Sequence, residues 1–391
     1  MAYSFDRIPN RRTPGVLNKW TWFPQDILPM WVADMDFAAP PPILKAFRKF
    51  AEHGDLGYQL PSRALYETIA ARMEKLYRWK ISADMIVTVA GVNIGYNVAA
   101  RTFCTSRRGY MIQTPVYNEF HETQKKTNVP KVEAPLLKSV KGNRISYEVD
   151  YDALERAAKK VNLFLLCNPH NPVGKIFSQS DLKRMAEICI RNDVLIVSDE
   201  IHSELLLDGN RFRPLASLNR EIANRTITLV SASKAFNVPG LFCAFAIIPN
   251  QELRRRYEET VLKMGIHVGS PGLVASRIAY SGQCDRWLAA LRRYLTDNRE
   301  FILDDVTRQM PTVRVTIPQA TYLAWLDFSQ MDLGQSPYDF FLKNAKVAMA
   351  DGMIYGENGA GHVRLNFGTS RRILKQGLDR MRKALEAENL V

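Results

Sequence analysis

The stretch NLFLLCNPHNPVGKIFSQSDLKRMAEICIRNDVLIVSDE, residues 162–200, decides the fold. It opens on the apolar run NLFLLCNP (162–169) and closes on VLIVSDE (194–200). Between them, Gln179 to Asn192 repeats apolar residues at helical spacing. Neither run alternates apolar with polar, so both strands are predicted to be buried on both faces, as in a mainly parallel sheet covered by helices. Working outward, the same texture recurs in MIVTVAG (85–91), GYMIQTP (109–115, halted by Pro115), TITLVSAS (226–233) and LFCAFAIIP (241–249). Helical periodicity precedes them at 43–50 and 64–76, and a helix follows the Gly turn at 91, running through Phe103. After Ser270 long helices run to about Met310. A strand-like segment (320–328), a helix near 337–345, a Gly-rich loop and a last helix complete the chain. The reading is an α/β fold: an N-terminal segment (1–45) packing with the small domain, a large sheet domain (46–280) and a smaller α+β domain (281–391).

At 391 residues the chain exceeds one small domain, and 46% hydrophobic residues exclude disorder. Cys104, Cys167, Cys189, Cys243 and Cys284 are scattered, with no C-x-x-C, which excludes a disulfide scaffold and a zinc pattern. The start, MAYSFDRIPNRR, has no apolar core of signal-peptide length. The longest apolar run, Leu241 to Ile248, is far short of the roughly 20 residues that span a bilayer. We therefore expect a cytoplasmic protein with no membrane partner. The net charge of +13 first suggests a polyanion. Yet the Arg clusters at 11–12, 107–108, 254–256, 292–293 and 371–372 spread end to end, without the aromatic interleaving of an RNA-binding surface. They read as solvated helix faces, and no nucleic-acid partner is expected.

In an open α/β sheet, ligands bind outside the carboxyl ends of the strands. Five strand ends here carry Gly91-Val92-Asn93, Tyr117, Asn168 to Asn171, Asp199 with His202, and Ser231-Ala232-Ser233-Lys234. One kind of ligand uses a Gly turn at a helix start, an aromatic ring, amides, a carboxylate and a lysine together: a flat, phosphorylated, nitrogen-containing aldehyde. Lys234, among small and hydroxylated neighbours, is suited to forming an imine; the bland alternative is a solvent-facing loop lysine. Asp199 ends an apolar run and either pairs with a buried cation such as a pyridinium N–H or caps a helix. His202 would order a ring hydroxyl, Tyr117 would stack on a ring face or sit in the core, and Asn171, bracketed by prolines, would hold a ligand oxygen from a rigid loop. Val92 and Asn93 open a helix whose free N–H groups suit a phosphate, with Ser231 and Ser233 adding hydroxyls. Arg364, inside the apolar run of GHVRLNFGTSR, needs an anion, best a carboxylate. The preceding GENGAG (356–361) has no helix after its glycines and reads as a loop, not a dinucleotide site.

These residues resemble those of fold-type-I pyridoxal-phosphate (PLP) enzymes of the aminotransferase class I/II superfamily, most closely the PatB/MalY-type cystathionine β-lyases (C–S lyases). The resemblance runs through PMWVADMDF (29–37), GYQLP (57–61), TPVYNEF (114–120), CNPHNPVGK (167–175), VSDEIHSEL (197–205), SASKAFNVPG (231–240), TYLAWLD (321–327) and HVRLNFGTSR (362–371). It implies that Lys234 is the Schiff-base lysine, Asp199 the partner of the pyridine nitrogen, and Tyr117 the stacking ring. It further implies that Asn171 and His202 contact the ring hydroxyl, while Val92, Asn93, Ser231 and Ser233 hold the phosphate. Arg364 would bind the substrate α-carboxylate, with Asn171 and Tyr58 also at the substrate. Tyr58 matches a tyrosine that reaches the phosphate of a neighbouring subunit, so the resemblance implies a homodimer.

The implied activity is PLP-dependent α,β-elimination from a β-substituted L-amino acid, giving pyruvate, ammonia and a thiol. An aminotransferase, or a lyase cleaving a C–N or other Cβ bond, would use the same residues. A regulator that kept the pocket would need a DNA-binding domain, for which only some 40 irregular residues precede the core. The chain departs from the subgroup at AGVNIGYN (90–97), where an SPGVVPAL-like turn is usual, at YRW (77–79) for YGW, and at GTSR (368–371) for a CPR-like segment. No Arg follows the lysine at Pro239-Gly240-Leu241-Phe242, as the subgroup leads one to expect.

Overall fold

The structure, a computed structural model, describes residues 3–391. Its larger sheet has seven strands in the order Ile86–Val89, Ala244–Ile247, Thr226–Val230, Leu195–Asp199, Leu163–Cys167, Tyr110–Ile112 and Lys131–Glu133. Every pairing is parallel except those of Ala244–Ile247, which runs against both neighbours. Strand geometry sends successive side chains to opposite faces. Thus Leu163, Leu165 and Cys167 pack in the cluster formed with the helices Val92–Phe103 and Gln251–Lys263, while Phe164 and Leu166 meet the helices Tyr151–Ala158 and Gln179–Arg191 on the other side. Each such buried side chain contributes about 1.5–3 kcal/mol relative to exposure, which is why the apolar runs do not alternate.

A second sheet of six strands follows the order Ala350–Asp351, His362–Asn366, Leu323–Asp327, Arg314–Val315, Arg144–Glu148 and Leu137–Lys141. The helices Asp285–Gln309 and Arg371–Ala387 supply its packing partners. The hairpin 137–148 falls within the sequence range expected of the large domain, but its inner strand hydrogen-bonds to Arg314–Val315. The sequence gives no sign of this hairpin because its outer strand is exposed along its whole length and shows no apolar period.

Before the first helix (Pro41–His53) the chain is irregular yet tightly held. Leu28–Pro29 pairs in parallel with Val347–Ala348. Asn366 donates from Nδ2 to the carbonyls of Val32 (2.6 Å) and Asp34 (2.8 Å), and Asn237 to those of Met35 (3.0 Å) and Phe37 (2.7 Å). Buried Asp36 accepts on one oxygen from Arg11, Lys19 and Trp20 at 3.1, 3.0 and 2.7 Å. Arg11 also bonds Asp34 and the Met35 carbonyl. The expectation of solvated arginines therefore holds for Arg255, which pairs with Glu252 and Glu259 on an exposed helix face, and fails at Arg11, where a buried carboxylate draws the side chain inward.

Another inward arginine braces the loop that follows Asp199. Arg72, on the helix Arg63–Tyr77, makes a two-point pair with Glu204, and both are buried. Arg72→Met leaves Glu204 as an uncompensated buried charge and should cost about 3–5 kcal/mol in urea unfolding. A loss below about 1 kcal/mol, the scale of an exposed pair, would show that the pair does not brace this loop.

Candidate active site

A cavity of about 150 Å³ opens at the carboxyl ends of the large sheet, and the five expected strand ends all reach it. Val92 and Asn93, Tyr117, Asn171, Asp199 and His202, and Ser231, Ser233 and Lys234 all line its wall. Ala33, from the irregular N-terminal segment, closes it from another side.

Lys234 sits in the short helix Ala232–Ala235, and its Nζ donates to the Ala33 carbonyl at 2.7 Å. Burial pushes its pKa down to about 8; Asp34 and Asp199 pull it up, while Arg364 adds to the depression. Half-buried on the cavity wall and bonded to Ala33, Lys234 is not a solvent-facing loop lysine, and at neutral pH the amine is within reach of its nucleophilic form. Asp199, the last residue of its strand, is buried, and one oxygen accepts the Ile201 N–H at 3.1 Å. Burial raises its pKa to about 7, opposed by that N–H and by Lys234. The capping alternative is thus partly realised, as a two-residue Asp turn, yet the carboxylate has no cation within ion-pair distance among the described residues. His202 is buried, its Nδ1 has no hydrogen-bond partner there, and burial with the charges of Lys234 and Arg364 pushes its pKa down to about 3, so the ring is neutral.

Gly91 precedes the helix Val92–Phe103 with φ of 130°, where a Cβ would meet Asn93 Oδ1 at 2.9 Å. It offers no side chain to cap the helix, and although the Ile94 N–H bonds to Asn93 Oδ1 at 2.9 Å, the N–H groups of Val92 and Asn93 stay available to an anion. Ser231 Oγ donates to the Cys243 carbonyl at 2.7 Å, accepts from Ser233 N at 3.1 Å and lies 3.0 Å from Ser233 Oγ, so the two hydroxyls form one bonded pair on the cavity wall. Tyr117 is half-buried, with burial pushing its hydroxyl pKa up.

Arg364 lies next to the cavity and is tied to it. Its Nη1 donates to Asn171 Oδ1 at 3.1 Å and its Nη2 to the Trp31 carbonyl at 2.7 Å, leaving buried Nε without a partner. Tyr58 alone stays apart: it is fully exposed, in a groove with Leu56, Leu60 and Pro271. Sequence reasoning missed the carbonyls of Trp31 and Ala33, and Tyr322, whose hydroxyl donates to Ala33 O at 2.8 Å. A backbone carbonyl leaves no mark in a sequence; only the run WVADMDF hinted at it.

The wall therefore presents an amine, a buried carboxylate without a cation, a neutral histidine with an orphan nitrogen, and open helix N–H groups. These suit the aldehyde, ring nitrogen, ring hydroxyl and phosphate of PLP. The family model described as aminotransferase class I and II matches residues 25–381. The chain belongs to that family. It is similar to the cystathionine β-lyase PatB of Bacillus subtilis, at 35% identity over 364 residues, 92% of this chain and 93% of that protein. The protein MalY of Escherichia coli is 33% identical over 371 residues, 93% and 92% of the two chains. The solved PLP-bound C–S lyase of Staphylococcus hominis superposes with a TM-score of 0.91 at 30% identity, covering 98% of each chain.

Removing the Asp199 charge tests the electrostatics directly. With its folded pKa raised to about 7 from an ordinary 3.8, the group destabilises the fold above pH 7 and is neutral in both states below about pH 3.8. Asp199→Asn should therefore stabilise the cofactor-free protein at pH 8, and the gain should shrink as the pH falls from about 7 to about 4. Thermal unfolding across that range reads it; equal stability of the two proteins at pH 8 would contradict a strained buried carboxylate.

Proposed function

We propose that this protein is a PLP-dependent carbon–sulfur lyase that eliminates a thiol from Cβ of a β-substituted L-amino acid. Bound PLP supplies an aldehyde that captures amines and a ring that takes up the electron pair left at Cα. Lys234 would hold that aldehyde and, once displaced by the substrate amine, take the proton from Cα, for which a pKa near 8 suits it. Asp199 would keep the ring nitrogen protonated by pairing with it. His202 and Asn171 would hold the ring hydroxyl, Tyr117 would cover the ring face, and the helix start at Val92 and Asn93 with Ser231 and Ser233 would hold the phosphate. Arg364 would fix the α-carboxylate. With the thiolate expelled from Cβ, water converts the remaining fragment to pyruvate and ammonia. The observation that carries this reading is the depressed Lys234 amine facing the unpaired Asp199 carboxylate across one cavity, in a chain similar throughout its length to cystathionine β-lyases.

Incubation with L-cystathionine or L-cysteine, without any keto acid, should release thiol or sulfide together with pyruvate. Product that forms only when 2-oxoglutarate is added would overturn elimination in favour of amino transfer. Lys234→Ala should lose turnover by several orders of magnitude and lose the near-visible absorbance of the loaded protein.

The proposal includes three further parts. A division into 1–45, 46–280 and 281–391, with the hairpin 137–148 joining the second sheet, would put Lys234 and Asp199 on the cofactor-holding body and Arg364 on the C-terminal unit. No helix among the described residues is long and apolar enough to cross a membrane, which supports a cytoplasmic location. A homodimer is supported by Tyr58, exposed beside Leu56 and Leu60 and absent from the wall of its own cavity. Mixing inactive Lys234→Ala chains with weakened Tyr58→Ala chains should restore activity above that of either alone, since one site of the hybrid has both residues. Activity no higher than the sum of the separate variants would refute a shared site.

A further inference from the structure

Tyr355 occupies the corner beside Arg364 and has no part in the assignments above. Its ring lies under the Arg364 guanidinium, 5.2 Å from Cζ to the ring centroid, and meets Trp325 edge to face at 5.3 Å. Trp325 is itself stacked on His362 and donates from Nε1 to Tyr147 Oη at 3.0 Å, so the Tyr355 ring rests on a fixed floor. Its backbone is tied to the strand end that carries Tyr117, because its carbonyl accepts Val116 N–H at 2.9 Å. The close passage of the two loops requires Gly356, with φ of 124°, where a Cβ would come within 3.1 Å of the Thr114 side chain.

Tyr355 is fully buried, yet its hydroxyl has no hydrogen-bond partner among the described residues. Buried hydroxyls are as a rule satisfied, so this one, on a ring packed against the arginine that is tied to the cavity through Asn171, calls for an acceptor from outside the described residues. Arg364 Nε, in the same corner, is likewise unpartnered, while Nη1 and Nη2 each have one N–H committed to Asn171 and Trp31. Two buried donors thus stand without acceptors around one guanidinium. A carboxylate, with two oxygens and about four lone-pair sites, can accept from both. Burial holds the phenol neutral, its pKa pushed up to about 12, so it remains a donor throughout the working range.

We infer that Tyr355 is a substrate-binding, specificity-determining residue whose hydroxyl donates to the α-carboxylate held by Arg364. The inference rests on the proposed amino-acid substrate but not on which Cβ bond breaks. A site that hydrogen-bonds a substrate oxygen discriminates strongly against analogues lacking it, because its own donors are then left unpaired. Tyr355 would therefore add selection for α-amino acids over the corresponding amines.

Tyr355→Phe removes one oxygen and keeps the ring. In the loaded enzyme we expect unchanged cofactor absorbance, roughly tenfold or more weaker binding of L-alanine followed by the absorbance change, and KM for L-cysteine raised with kcat nearly unchanged. Binding of cysteamine, which has the amine and thiol but no carboxylate, should be the same in both proteins. Unchanged L-alanine affinity, or an equal loss for cysteamine, would overturn the inference. A protein that binds L-alanine in this Tyr355-dependent way yet releases no thiol from any sulfur substrate would refute elimination and leave the inference standing.

Discussion

The carbonyl oxygen of Ala33 is the point on which the site depends. It accepts from Lys234 Nζ at 2.7 Å and from Tyr322 Oη at 2.8 Å, so one backbone atom joins the lysine of the large sheet to the second sheet. Two residues earlier, the Trp31 carbonyl accepts from Arg364. An extended segment with no secondary structure of its own can do this only if it cannot shift. Asn366, Asn237 and the Arg11–Lys19–Trp20 set on Asp36 hold it from three directions. Those bonds satisfy backbone groups that would otherwise be buried without partners. They also fix the Lys234 amine and the Arg364 guanidinium relative to one another.

Electrostatics gives this geometry its chemistry. The cavity wall holds Asp199 near neutrality, Lys234 below its ordinary pKa and His202 uncharged, each driven first by burial. On the wall of one cavity, groups shifted in these directions suit a ligand that carries a protonated ring nitrogen and an electrophilic carbon. A structural ion-pair network does the opposite, as at Arg72 and Glu204, where charges are satisfied internally.

Much of this was legible in the sequence because the large sheet is buried on both faces and its strand ends converge by topology. Asn171, Asp199, His202 and Lys234 each lie just past the carboxyl end of an apolar run, so their convergence could be inferred without any coordinates. The hairpin 137–148 escaped because its outer strand lies exposed at the sheet edge without an apolar period, and its inner strand, Arg144–Glu148, alternates over too few residues to stand out. The roles of Trp31 and Ala33 escaped because carbonyls are common to all residues. Tyr355 escaped because its significance lies in what its hydroxyl lacks, a property that appears only when the neighbours are in place.

The central claim is that the cavity at the strand ends holds PLP through Lys234. Borohydride reduction of the PLP-loaded protein, followed by proteolysis and mass spectrometry, tests it most directly. A single phosphopyridoxyl-modified peptide is predicted, with the modification on Lys234. Modification at another lysine, or none under conditions where the protein shows the near-visible absorbance, would contradict it.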